Sequence, residues 1–176
     1  MKKTILYVTG IIIALIAISG IAGMQMDEKY SVSRSIKLQA PVNEVWTKIH
    51  DFNELPKWHP LVASVEKLET HPDLPLKWRV MLHDGNYLIA ENILAEDNVL
   101  LTNKMLESSL PFQGNWVFEL KAFGNNQTLL ILTENMTVPN PFVRLYMSLQ
   151  CNAHRIEQML RQLSTSLNEP NVMIEE

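Results

Sequence analysis

Trp58 and His59 stand side by side between Pro56 and Pro60 in "DFNELPKWHPLV", directly behind a stretch with helical apolar spacing. A histidine in such a loop acts as a general base only when another group orients it. It can instead line a pocket, or pack with its tryptophan neighbour into the core. The residues favour packing first and pocket lining second, because the sequence names no orienting partner. Two carboxylates are the other candidates. Glu91 in "YLIAENI" shares its strand parity with Tyr87, Ile89 and Ile93; Glu134 in "LLILTENM" shares parity with Leu130, Leu132 and Met136. An acid on the apolar face of a strand is costly unless paired, and Arg79 or Lys104 are the cations proposed for it. The acids read first as ion-paired members of the sheet, next as polar anchors in an apolar pocket, and last as general acids or bases.

Other chemistry is thinner. His50, His59, His71, His83 and His154 show neither HxH nor HExxH spacing, so no metal site and no cofactor are expected. There is no G-x-S-x-G, no phosphate loop and no dinucleotide fingerprint. Cys151, the single cysteine, lies in a helix-like stretch and reads as a packed thiol. No catalytic residue is assigned. A net charge of −4 leaves the chain without the basic face that nucleic acid requires. With 47% apolar and 19% charged residues it is a globular chain rather than a disordered one.

The elements that must position these residues begin with a different kind of segment. From Ile5 to Met24 there is no charge, with Lys2 and Lys3 before the run and Asp27 after it. Twenty helical residues span about 30 Å, the thickness of a bilayer's hydrocarbon core. Residues 1–26 therefore read as a retained transmembrane anchor, with a cleaved signal as the alternative. The two lysines put the N-terminus in the cytoplasm and the rest on the extracytoplasmic side, periplasmic or extracellular.

Residues 27–168 form the expected domain. Tyr30 to Ala40 alternates as a strand, and Pro41 opens a helix striped by Val42, Val45, Trp46 and Ile49. "LPKWHP" is a turn or a single helical turn, since each proline restrains the residue before it. Six strand-like segments follow, with hairpin signals at "HDGN" and "GNNQ", which implies an antiparallel meander. Pro141 to Leu167 reads as one long amphipathic helix. Its stripe is Phe142, Leu145, Leu149, Ala153, Ile156, Leu160, Leu163 and Leu167, with Arg144 and Arg155 on the other faces. Residues 169–176 read as a frayed tail.

This order resembles the START/Bet v 1-like (SRPBCC) superfamily, and the local text is similar to its polyketide cyclase/dehydrase-like branch. The matching pieces are "SRSIKLQAPVNEVWTKIHDFNELPKWHPLVASVEKL", "WRVMLHDGNYLIAENI" and "LPFQGNWVFELKAFGNNQTLLILTENMTVPNPFVRLYM", most of residues 30 to 165. The chain departs from the pattern in having no glycine before "KWR". The resemblance implies an α+β helix-grip fold, a seven-stranded antiparallel sheet wrapped around a long C-terminal helix, with an apolar cavity between them. It implies a hydrophobic partner, a lipid-like or aromatic small molecule, held by a monomer; some such proteins are cyclases or hydrolases. Trp58, His59, Trp78, Tyr87, Glu91, Trp116, Phe118, Glu134 and Leu149 are the expected cavity lining. Three readings follow: a membrane-anchored binding protein, a cyclase, dehydratase or hydrolase using the same cavity, and an interaction module whose core is filled.

Overall fold

A computed structural model describes residues 2–69, 75–124, 126–149, 152–170 and 172–175. His71, Cys151 and the turn expected between the second and third strands lie outside the described residues.

The chain opens with α1 (Lys2–Met24), a helix long and apolar enough to cross a membrane. Within residues 4–24 only Gly20 and Gly23 are buried. β1 (Lys29–Leu38) follows, then α2 (Val42–His50), with Pro41 as its extended N-cap and Glu44 in its first turn. The α2 stripe buries Val45, Trp46 and Ile49. Asp51 ends the helix. Its side chain accepts the Asn53 N–H at 2.9 Å and so starts a 3₁₀ turn, Phe52–Glu54, that runs into α3 (Leu55–Trp58). Pro56 fits in the first turn of α3, where a missing N–H costs nothing.

The meander is β2 (Val62–Leu68), β3 (Lys77–Leu82), β4 (Tyr87–Glu96), β5 (Leu100–Ser108), β6 (Gln113–Ala122) and β7 (Thr128–Thr137). Gly85 (φ 86°) and Gly124 (φ 68°) turn two of its hairpins in the left-handed region that glycine enters freely. The sheet order is β2-β3-β4-β5-β6-β7-β1 and every pairing is antiparallel. Register shifts at Val62/Ser64, Ile89/Ala90 and Asn92/Leu94 mark bulges, which bend a sheet and raise its twist.

Two expectations about the C-terminus change. The expected long C-terminal helix is described in two stretches, α4 (Pro141–Leu149) and α5 (Asn152–Ser166), with residues 150 and 151 between them outside the described residues. Only α5 lies in the grip of the sheet, burying Ile156, Met159, Leu160 and Leu163, with Leu167 just beyond it. α4 packs on α1 instead, so its Phe142, Tyr146 and Leu149 remain exposed. The tail does not simply fray. Ile174–Glu175 forms β8, a two-residue strand against Ser35 and Ile36 of β1, and Val172 and Ile174 pack on the core. Among the described residues the sheet therefore has eight strands where seven were expected.

The core divides in two. One cluster joins α2 and α5 to β1, β6 and β7 through Leu38, Val45, Ile49, Leu130, Leu132 and Leu160. The other gathers Phe52, Val62, Val80, Leu88, Ala90 and Met105 around β2 to β5.

Candidate functional site

β7 alternates without interruption: Thr128, Leu130, Leu132, Glu134 and Met136 all point inward and are buried. Glu134 is thus carried into the interior by the strand period, and only 2% of it is exposed. Two elements answer its charge. Trp116, directly opposite on β6, donates its indole N–H to Oε1 at 3.1 Å. Arg155 of α5 donates to Oε2 at 2.5 Å, and the same guanidinium nitrogen reaches the Tyr30 hydroxyl of β1 at 2.9 Å. The guanidinium lies 5.7 Å from the Phe112 ring centroid. Burial works against the Arg155 charge, but Glu134 and Tyr30 outweigh it and hold the pKa above its ordinary value. Burial likewise pushes the Tyr30 phenol up, so it stays protonated at neutral pH.

Trp58 and His59 take opposite roles. Trp58 is buried in the first core cluster, and its indole N–H donates to the Lys48 carbonyl at 2.9 Å, fastening α3 to the end of α2. His59 caps α3, donating its backbone N–H to the Leu55 carbonyl at 2.8 Å, and turns its ring to the interior. Its Nδ1 accepts the Leu61 N–H at 3.2 Å, which leaves the proton of the neutral ring on Nε2. Burial, helped by the Arg155 charge, lowers the His59 pKa from 6.5 to about 4. At neutral pH His59 is a neutral donor.

Between the two core clusters lies a cavity of about 200 Å³. Its walls are chiefly apolar, including Phe52, Val80, Leu88, Phe112, Phe118 and Met159, with His59, Asn103, Glu134 and Arg155 among the polar groups. Asn103 is only 8% exposed, and its Oδ1 accepts no hydrogen bond. A depression of about 420 Å³ between Lys37, Gln39 and the tail is larger and more open to solvent.

Of the expected lining, His59, Trp116, Phe118 and Glu134 do meet at this cavity. Trp58 lies behind it as core. Trp78 stands back from the wall, stacked on Phe52 with ring centroids 5.2 Å apart. Tyr87 and Glu91 are on the outer face of β4, whose inward residues are Leu88 and Ala90. Tyr87 bonds Glu107 there at 2.8 Å, and Glu91 lies opposite Lys77 and Lys104 in the register. Leu149 is 78% exposed. Arg79 pairs with Glu66 at the surface, 3.3 Å away, rather than with either candidate acid. His83 and His154 are exposed, and His50 stacks on Trp46. Among the described residues no cluster of three His, Cys, Asp or Glu could hold a metal.

Arg155 and Asn103 are the residues that the sequence left out of the site. Arg155 borders Ile156 and stands four positions before Met159, so it lies at the edge of the buried stripe. The inward parity of Glu134, which requires a cation, was the signal that could have found it.

The family model described as polyketide cyclase/dehydrase and lipid transport matches residues 29–150. Among solved structures, a START superfamily protein from Mycobacterium smegmatis is similar with a TM-score of 0.65 at 18% identity, over 80% of this chain and 99% of that one. The Zhui aromatase/cyclase from Streptomyces sp. R1128 gives 0.68 at 15% identity, over 78% and 93%. Protein XoxI from Bacillus cereus gives 0.62 at 18%, over 77% and 94%. At these identities the likeness speaks to fold. No curated protein matches the chain. The matched residues, the antiparallel sheet and the C-terminal helix it holds agree: the chain belongs to the polyketide cyclase/dehydrase and lipid transport branch of the SRPBCC/START superfamily.

Proposed function

We propose that this protein is a membrane-tethered binding module, and that its cavity takes a small apolar molecule bearing a hydroxyl group. The observation that carries the reading is Asn103. Its carboxamide oxygen is buried without a partner at the wall of an otherwise apolar cavity. An orphaned acceptor of this kind costs about 1–3 kcal/mol, and a ligand donor would recover it. His59 offers the complementary group, a neutral Nε2–H. A hydroxyl is both donor and acceptor, so it suits the pair; a pure hydrocarbon suits neither.

Size narrows the class. A cavity of about 200 Å³ is a little larger than one of about 150 Å³ that holds benzene. It is smaller than the roughly 300–1,000 Å³ of drug-sized pockets. One or two rings, or a short acyl segment, fit that space. Burying about 200 Å² of ligand surface is worth roughly 5 kcal/mol at 25 cal/mol per Å². That gross figure corresponds to affinities between millimolar and micromolar.

Acid–base catalysis is the second reading, favoured by the presence of a histidine and a carboxylate at the cavity. The geometry supports it less. Glu134 is engaged by Arg155 and Trp116, and His59, with its pKa near 4, is a weak base. The tether is α1, with Lys2 and Lys3 on the cytoplasmic side and the domain from residue 27 onward on the other.

Titration of the full chain in detergent with 1-naphthol and with naphthalene tests the reading. Naphthol should bind at least ten-fold more tightly, and Asn103→Leu should erase the difference. Equal binding of both probes by the parent protein refutes the hydroxyl site. Native mass spectrometry before and after denaturation checks for a copurified ligand.

A further inference from the structure

We infer that α4 is a second membrane element: its exposed face lies in the headgroup region of the same bilayer that α1 crosses. The inference rests on the proposal that α1 spans. The contact between the two helices carries it. A Cβ built on Gly23 would stand 1.9 Å from the Pro141 carbonyl oxygen, and one on Gly20 would stand 3.2 Å from the Phe142 ring. The backbones meet so closely at Gly23 only because that position is glycine, and Gly20 leaves room for the Phe142 ring. Arg144 then fixes the linker. It donates to the carbonyls of Met26 (2.7 Å) and Pro139 (3.0 Å) and stands 3.4 Å from Glu28.

Depth follows from that contact. The apolar span is Thr4–Met24, so Gly20 and Gly23 lie within about 6 Å of its end, at 1.5 Å per residue. A helix touching those residues is held at the level where the span leaves the hydrocarbon. α4 presents Phe142, Tyr146 and Leu149 at positions i, i+4 and i+7, one stripe, and these are 48%, 63% and 78% exposed. The only charged side chain on α4, Arg144, is turned toward the linker. An apolar stripe with aromatic members, fixed at that depth, matches the chemistry of a bilayer interface. α5, which follows α4 in the chain, supplies Arg155, Ile156 and Met159 to the cavity wall, so this seating would also hold the cavity close to the lipid surface.

Spin-label depth measurements on the full chain in phosphatidylcholine/phosphatidylglycerol nanodiscs test this. Labels go on Ile12→Cys, Tyr146→Cys, Leu149→Cys and, as an aqueous reference, Asp97→Cys, each in a Cys151→Ser background with unfolding transitions compared with the parent. The expected result is Ile12 near the bilayer centre and residues 146 and 149 about 5–10 Å into the headgroup and acyl boundary. If 146 and 149 are as water-accessible as 97 while 12 is in lipid, the α4 inference is overturned and the anchor stands. If 12 is also in water, the anchor reading fails and takes the inference with it. Dipolar broadening between α4 labels that disappears on dilution with unlabelled chain would assign the face to a second copy, and also overturns it.

Discussion

Replacing Arg155 with methionine isolates the physics of the site. Met retains most of the side-chain bulk but leaves Glu134, 3% exposed at its side chain, without a cation. Breaking a buried pair from one side costs about 3–5 kcal/mol. Arg155 is one-third exposed and the Trp116 donor remains, so screening reduces this to about 2–3 kcal/mol. For a chain of this size each kcal/mol moves Tm by about 2–4 °C, giving a drop of roughly 4–12 °C. Thermal unfolding of the full chain in detergent, followed by tryptophan fluorescence, measures it. The double variant Glu134→Met/Arg155→Met should recover at least half of the loss, since an apolar pair needs no counter-charge. An Arg155→Met variant within 1 °C of the parent, or a double variant no more stable than Arg155→Met alone, would show that Glu134 is not held by this ion pair.

Three other outcomes follow from the same structure. His59 has a folded pKa of about 4 against 6.5 in the unfolded chain, so between those values the unfolded state holds more protons and stability falls as pH drops. Partial exposure limits the effect to about 1–2 kcal/mol; His59→Gln should flatten the stability profile from pH 6.5 to 4, as read by denaturant midpoints. Leu160→Ala, at a position 1% exposed on α5, should cost about 2–5 kcal/mol, read by denaturant unfolding. Gly23→Ala should separate α1 from α4, because the new methyl meets backbone, and a disulfide crosslink engineered between the two helices should no longer form.

Strand periodicity made much of this fold legible. Unbroken alternation in β7 puts Glu134 inside from the sequence alone, and "HDGN" and "GNNQ" mark their hairpins because positive φ favours glycine. β4 was ambiguous for the same reason that β7 was clear. Its two faces carry Leu88 with Ala90 and Ile89 with Ile93, so apolarity did not say which faced the core, and Glu91 was placed on the wrong side. Helix spacing finds the C-terminal helix but does not show that α4 packs on α1 while α5 packs on the sheet. One stripe drawn from Phe142 to Leu167 joined a face turned from the core to a buried one. It also left Arg155 outside, although a long cation at the border of a stripe can reach a buried acid. Asn103 could not be found from residue type, since its distinguishing property is a missing partner.

The position of β1 in the sheet has a consequence for biosynthesis. Its main neighbour is β7, about 100 residues further along, with Lys29 opposite Thr137 and Leu38 opposite Thr128. At about 5–20 residues per second, the ribosome delivers that partner roughly 5–20 s after β1 emerges. Throughout that interval a nascent strand waits with both edges open, inviting wrong pairings. Tethering the leading segment in a bilayer would restrict the strand's choice of neighbours while the rest of the chain arrives.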